Sequence, residues 1–375
     1  MVLWRGSSAS RAPEATRSKA SSATQVKKAT SKVLRAPRVL KVASDFSGLD
    51  SAWLAVQRLG VPASLQFCCD SDKHCKALLT HLHSPLKFYD NISERQDAEY
   101  CDLYITSPPC QPFSKLGKQA GIGDKRGQVV KDSLRYVQQC RPRVVVMENV
   151  KALGTDKKFR PVLKGIVKAF KSLRYRVRAR ILDSQHYGVP QIRTRLFLVA
   201  IREDSARAGG FAWPAKQQPC KLHQVLDAPG PGDLPGRLPR NERQKRLCVR
   251  AYKAAYDQGF DPRRVPVAVD VDCSERYATF GIDVSRTLTR TRGGQGGFWL
   301  SSRGRKMSIT ELMRVTGIEP KEMKDWRDVV PERELGRMLG NSIPVPMIQA
   351  VLKNAMIAGG LLANAKLKKS AGQPA

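Results

Sequence analysis

Apolar and polar positions alternate in two rhythms along this chain. Residues 39–46, 64–69, 103–106 and 143–147 are short apolar runs, rich in β-branched or aromatic side chains and bounded by Gly, Pro or Asp, and they read as strands. Between them, 51–59, 73–82 and 133–139 carry helical spacing, while Ser47-Gly48-Leu49-Asp50 reads as a turn. Strands alternating with helices predict a doubly wound parallel α/β sheet. In such a sheet ligands bind beyond the carboxyl ends of the strands. The residues directly after Phe46, Cys69, Thr106 and Met147 are therefore the first candidates for chemistry.

Further along, 174–180 alternates strictly, with arginines on one side and Tyr175, Val177 and Ala179 on the other, which predicts a strand with one cationic face. Residues 196–201 form another apolar strand. From about 202 to 285 the chain is Pro/Gly-rich, basic and poorly periodic; regular patterning returns at 310–316 and at 345–362, a C-terminal helix. No internal repeat is present. These shifts suggest a tail over 1–38, a first domain over 39–201, a separate region over 202–300, a return to the first domain over 301–363 and a short basic tail over 364–375.

Composition sharpens this. Among 375 residues, 66 Lys/Arg face 33 Asp/Glu, a formal net charge of +33, which makes a polyanion, nucleic acid above all, the expected partner. The charge is uneven: residues 1–40 hold nine Lys/Arg against the single Glu14, and 151–180 hold eleven basic residues and one acid. Residues 41–150, with 14 basic and 12 acidic, are nearly neutral. No apolar run approaches the roughly 20 residues of a membrane span. Nine irregularly spaced cysteines without a CxxC pair suggest a reducing compartment and no structural metal. The Ser/Arg-rich tail reads as a nucleic-acid-binding arm or nuclear targeting segment, with a chloroplast or mitochondrial transit peptide as the alternative.

Two motifs carry candidate chemistry. Ser107-Pro-Pro-Cys-Gln-Pro-Phe-Ser114 holds Cys110 in a proline-stiffened loop after a strand, and Glu148-Asn149-Val150 closes another strand of the same sheet. A thiol nucleophile and a carboxyl acid at such strand ends can form one site. A lone loop cysteine is usually inert and a strand-end acid usually a cap; the combination is what argues otherwise. The Pro-Cys-Gln loop, the Glu-Asn-Val turn, Tyr187-Gly-Val-Pro190 followed by Gln191-Ile-Arg-Thr-Arg195, and Gly340-Asn-Ser-Ile-Pro-Val-Pro346 together resemble, in order, the signature blocks of the cytosine-C5 DNA methyltransferase family. The resemblance covers roughly residues 39–200 and 305–360.

It implies a Rossmann-like methyltransferase sheet with a smaller inserted target-recognition domain, S-adenosylmethionine as methyl donor, and C5 of a flipped cytosine in duplex DNA as acceptor, the protein acting as a monomer. Cys110 would attack C6, Glu148 would protonate or hydrogen-bond N3, Arg195 would contact O2 and Arg193 would support the loop. Gln111, Asn149 and Gln191 would touch the substrate or brace the loop around it, and Asn341 would brace the flipped nucleotide or meet the donor. For the donor, Phe46 would lie on the adenine, Gly48 would admit the methionine part, and Asp70 would accept from the ribose hydroxyls. Asp90 or Asn91, before Ile92, would reach the adenine amino group; Pro109, Val129 and Ser342 complete the implied contacts.

One departure bears on the donor: Asp50 stands where the family usually has a second glycine, and its carboxylate would bind the donor's ammonium or crowd it. The block over 309–320 is recognisable but drifted. The nearest rival is an RNA-directed enzyme with the same apparatus, although the Cys-Phe-Thr tripeptide of the tRNA-modifying branch is missing. A catalytically silent DNA-binding paralogue is the reading from another class.

Overall fold

The computed structural model describes residues 39–95, 99–109 and 125–363. Both tails, Cys110 and Gln111 lie outside these residues. The main sheet is built from β1 (Leu40–Asp45), β2 (Ala63–Cys69), β3 (Lys87–Tyr89), β4 (Leu103–Thr106), β5 (Val144–Val150), β6 (Tyr175–Asp183) and β7 (Thr194–Arg202). Their spatial order is β3-β2-β1-β4-β5-β7-β6. The chain winds outward one way from β1 and the other way from β4, so the switch point lies between those two strands. The sheet is parallel except for β7, which runs against both neighbours. Only ten residues join β6 to β7, too few for the crossover that a parallel neighbour requires.

Helices α1 (Ser51–Arg58), α2 (Lys73–His83), α3 (Lys125–Cys140), α4 (Lys151–Thr155) and α5 (Arg160–Ser172) follow their strands. The strict in/out alternation of a strand gives the sheet two separate cores. Val42, Ile105, Val144, Val146 and Phe197 pack on one side with Trp53 and Leu54 of α1, whereas Ala43, Tyr104, Val145, Met147 and Leu198 pack on the other with Tyr136 of α3 and Phe170 of α5.

After β7 the chain leaves the sheet. It forms α6 (Glu242–Tyr256), β8 (Val267–Val269), β9 (Phe280–Ile282), α7 (Arg290–Gly293), β10 (Trp299–Leu300) and β11 (Arg305–Lys306). Four of these make a small antiparallel sheet, β11-β10-β8-β9. Leu247, Cys248, Ala251 and Tyr252 of α6 form its core with Val267, Val269 and Val271. Thus α6 lies inside the stretch that looked aperiodic in sequence. Its exposed face is so heavily charged that the helical stripe is hard to see. The chain then returns through α8 (Ile309–Val315), α9 (Glu332–Asn341) and α10 (Val345–Ala358), and Ile348, Val351 and Leu352 of α10 join the α1 side of the main core.

Candidate active site

The ends of β1, β2, β4 and β5 open into a cavity of about 680 Å³ at the switch point, within the usual range for a small-molecule site. Its floor is the turn after β1. Phe46 and Asp50 both take left-handed backbone angles, φ 56° and 47°, a strained state for residues other than glycine. Gly48, at φ 56°, has no atom within 4 Å of where a Cβ would sit, so the backbone there presents an open cradle. Its N–H donates to Asp70 Oδ2 at 2.8 Å, joining the first turn to the end of β2. Asp70 also accepts from Asp72 N, and burial raises its pKa against those two bonds.

Asp50, whose position raised two expectations about the donor, is engaged inside the first turn. Its Oδ1 accepts from Trp53 N at 3.0 Å, capping α1, and its Oδ2 accepts from Ser44 Oγ at 2.8 Å and faces the Cys68 thiol. The residue is 3% exposed, and burial raises its pKa. The carboxylate thus caps the first helix, while the residue also lines the cavity.

On the other side of the cavity, Glu148 lies near the end of β5, and its Oε1 is 3.0 Å from Arg195 Nε. The pairing follows from register, because Val150 of β5 stands opposite Arg195 of β7. Burial raises the Glu148 pKa; the charges of Arg195 and Arg193 oppose this without cancelling it. Asn149 donates through Nδ2 to the Pro108 carbonyl at 3.1 Å and accepts from Val150 N, so its amide ties the β4 and β5 loops together. Pro109, the last described residue before Cys110, lines the cavity.

Arg193 is buried and donates to the carbonyls of Leu288, Gly340 and Asn341 at 2.6, 3.1 and 3.2 Å. It thereby holds α9 to the β7 side of the site. That end of α9 is also fixed by glycines. A Cβ on Gly336 would lie 2.3 Å from the Gly293 carbonyl oxygen of α7, and one on Gly340 would lie 2.1 Å from the Thr289 oxygen. This close crossing brings Thr289, Arg290, Asn341 and Ser342 to the cavity wall. Ser342 Oγ donates back to the Leu339 carbonyl at 2.7 Å.

The structure gathers Phe46, Gly48, Asp50, Asp70, Pro109, Glu148, Asn149, Arg193, Arg195, Asn341 and Ser342 around one cavity. Five other expected contacts do not line it. Gln191 is fully buried, donating to the Val315 carbonyl and accepting from Leu288 N, so it fastens β7 to the returning chain. Asp90 is exposed and paired with Lys76 at 2.7 Å; Asn91 bonds Glu94 and Ser93 N; Ile92 is buried beside them. The Val129 carbonyl accepts from Ser133 within α3. In contrast, Arg290, Thr289 and Met338 line the cavity without having been singled out for it; the close approach at Gly336 and Gly340 that brings them there shows only in the fold.

Sheet order, the reversed strand and a cavity at the switch point make this a Rossmann-like methyltransferase fold. Residues 40–356 match the model of the C-5 cytosine-specific DNA methylase family, and the chain belongs to that family, whose members use S-adenosylmethionine. It is 27% identical to the type II methyltransferase M.HhaI of Haemophilus parahaemolyticus over 322 residues, 82% of this chain and 92% of that protein. It is 30% identical to M.BsuFI of Bacillus subtilis over 259 residues, 67% of this chain but only 56% of that protein. Among solved structures, S. pombe Dnmt2 methyltransferase superposes with a TM-score of 0.60 at 19% identity, covering 84% of this chain and 98% of its own; at that identity the likeness speaks for the fold alone. The cavity suits the donor in size, in the open backbone at Gly48 and in the carboxylate of Asp70.

Proposed function

We propose that this protein methylates C5 of cytosine in duplex DNA. The observation that carries the proposal is the pair of buried Glu148 and half-buried Arg195 facing a donor-sized cavity whose wall includes Pro109, the residue before Cys110. Bound S-adenosylmethionine supplies a methyl group made electrophilic by its sulfonium. Cytosine C5 is too weak a nucleophile to take it unaided. The Cys110 thiolate adds to C6, pushing electrons toward C5 and N3. Glu148, whose pKa burial raises, gives a proton to N3 as charge builds there. Arg195 holds the Glu148 carboxyl and offers cationic N–H groups to O2. C5 then takes the methyl group as that group's bond to the donor sulfur breaks and its electron pair returns to sulfur, leaving a neutral thioether; a base takes the C5 proton, the C5–C6 double bond re-forms, and the thiolate and the N3 proton leave. A cytosine stacked in a duplex cannot reach such a site, so it must turn out of the helix. Residues 203–308, with their own small antiparallel sheet, are the proposed target-recognition region.

Methyl transfer from labelled donor to duplex DNA and to tRNA, followed by bisulfite sequencing of the DNA, tests this reading. Transfer to DNA that disappears in Cys110→Ser supports it. Transfer to tRNA alone would replace the substrate, and turnover by Cys110→Ser would remove the covalent step.

A further inference from the structure

The edge of the main sheet beyond the cavity carries a row of arginines with no role in the chemistry above. Strand β6 is the outermost strand, paired on one side only. Tyr175, Val177 and Ile181 turn toward the α5 core, so Arg176, Arg178 and Arg180 stand together on the opposite face, all three exposed. Two residues of strand advance about 6.7 Å, so the row spans about 13 Å. Its upper end is set by register: Arg180 stands opposite Phe197, and Phe197 opposite Glu148, which places Arg180 level with Glu148 and two strand spacings away, roughly 10 Å.

Ion pairing along this edge is uneven. At the lower end, Arg174 pairs with Glu203 at 3.4 Å and Arg202 with Asp204 at 2.7 Å. Arg176, Arg178 and Arg180 make no ion pair among the described residues. Neighbouring charges in the row, about 6.7 Å apart, lie within one Debye length of about 8–10 Å and repel one another until a polyanion neutralises them. The row also lacks the apolar residues that a protein partner would bury.

We propose that Arg176, Arg178 and Arg180 form a phosphate-binding rail for the DNA backbone flanking the target cytosine, separate from the target-recognition region. The inference rests on the DNA reading above. A backbone leaving the cavity along β6 meets guanidinium groups at regular intervals, beginning beside the site. The contacts are to phosphate, so the rail adds affinity without sequence preference.

The alternative is that the arginines merely guard an exposed strand edge against pairing with other chains. Measuring DNA affinity against salt in Arg176→Gln/Arg178→Gln/Arg180→Gln and in the corresponding triple Lys variant separates the two. With the rail, the Gln variant binds duplex DNA on the order of 100-fold more weakly near 0.1 M salt. Its slope of log K against log salt becomes shallower by about 2.7, the value for three released contacts. The Lys variant keeps most of the slope, and donor affinity stays unchanged in both. An unaltered slope in the Gln variant, with or without aggregation, overturns the rail and leaves the enzymatic reading intact. Failure of the wild-type protein to methylate DNA overturns that reading by itself, whatever the slopes show. Equal loss in the Gln and Lys variants would mean damaged folding and would also refute a charge-based rail.

Discussion

Removing Arg95 should be among the most damaging single changes in the molecule, and more damaging than removing the charge of its partner. Arg95 forks onto Asp45, with Nη1 at 2.5 Å and Nη2 at 2.9 Å from the two carboxylate oxygens, and both side chains are almost sealed from water, at 2% and 0% exposure. Tyr104 donates its hydroxyl to the same carboxylate. The guanidinium also lies over the rings of Phe67 and Tyr136, 4.5 and 4.7 Å from their centroids. In Arg95→Met, the Asp45 charge stays buried with the Tyr104 hydroxyl and the Cys69 thiol against it but no cation, and breaking a buried pair in this way costs about 3–5 kcal/mol. In Asp45→Asn, the stranded charge is the guanidinium, which keeps both rings; each such contact is worth about 0.5–2 kcal/mol, so this variant should lose less. The double variant has no buried charge left and should recover much of the loss. Urea unfolding of the four proteins measures the cycle. Because Asp45 leads directly into Phe46 on the cavity floor, donor titration should show the weakest binding in Arg95→Met. Equal single losses, or a coupling below about 0.5 kcal/mol, would refute the reasoning.

Glu148→Gln should abolish or greatly slow methyl transfer yet stabilise the fold as pH rises. Burial raises this pKa above the ordinary glutamate value of 4.5, so the stability tied to its proton is complete below that value and is lost as pH climbs through the folded-state pKa. The melting temperature of the variant should gain on wild type between about pH 4 and pH 8; a constant difference would contradict the assignment. Gly336→Ala forces a Cβ against the Gly293 carbonyl and should cost at least about 1–3 kcal/mol and weaken donor binding, while Gly165→Ala on the open face of α5 should stabilise by about 0.5–1 kcal/mol. Thermal unfolding and donor titration of the pair check the contrast. Asp50→Gly should change stability by less than about 1 kcal/mol, since glycine relieves the positive φ while losing only a few tenths as a cap. Asp50→Asn should bind donor as wild type does; a large loss by calorimetry would mean that the carboxylate contacts the donor after all.

The strand ends were legible because their apolar runs are uninterrupted and they carry unusual residues, such as the paired prolines before Cys110 and the Glu-Asn pair near the end of β5. Two parts were not. The helix α6 was hidden because seven of its fifteen residues are charged or amide side chains, six of them basic or acidic, which blurs a helical stripe of five buried positions. The Asp45–Arg95 pair was hidden because, 50 positions apart, each looks like an ordinary surface charge; only the fold shows that aromatic rings enclose them. The residues at 90–92 do not line the cavity for a related reason. A loop after a short edge strand can satisfy its own polar groups, as Asp90 does with Lys76 and Asn91 with Glu94. Spacing fixes where such a loop begins, not which way its side chains turn.

The return of α9 and α10 to the main sheet also sets the order in which the molecule can be made. Gly340 to Ile343 complete the cavity wall, and α10 covers the α1 side of the core, so the first turn and its roof are nearly 300 residues apart in the chain. A ribosome releases β1 to β7 well before their cover exists, leaving one face of a half-built sheet exposed through the synthesis of residues 203–308. Contacts of such long range fold slowly and leave that face open to aggregation meanwhile. A chain truncated before α9 should therefore emerge both insoluble and unable to retain donor, even though it contains every residue assigned to the chemistry.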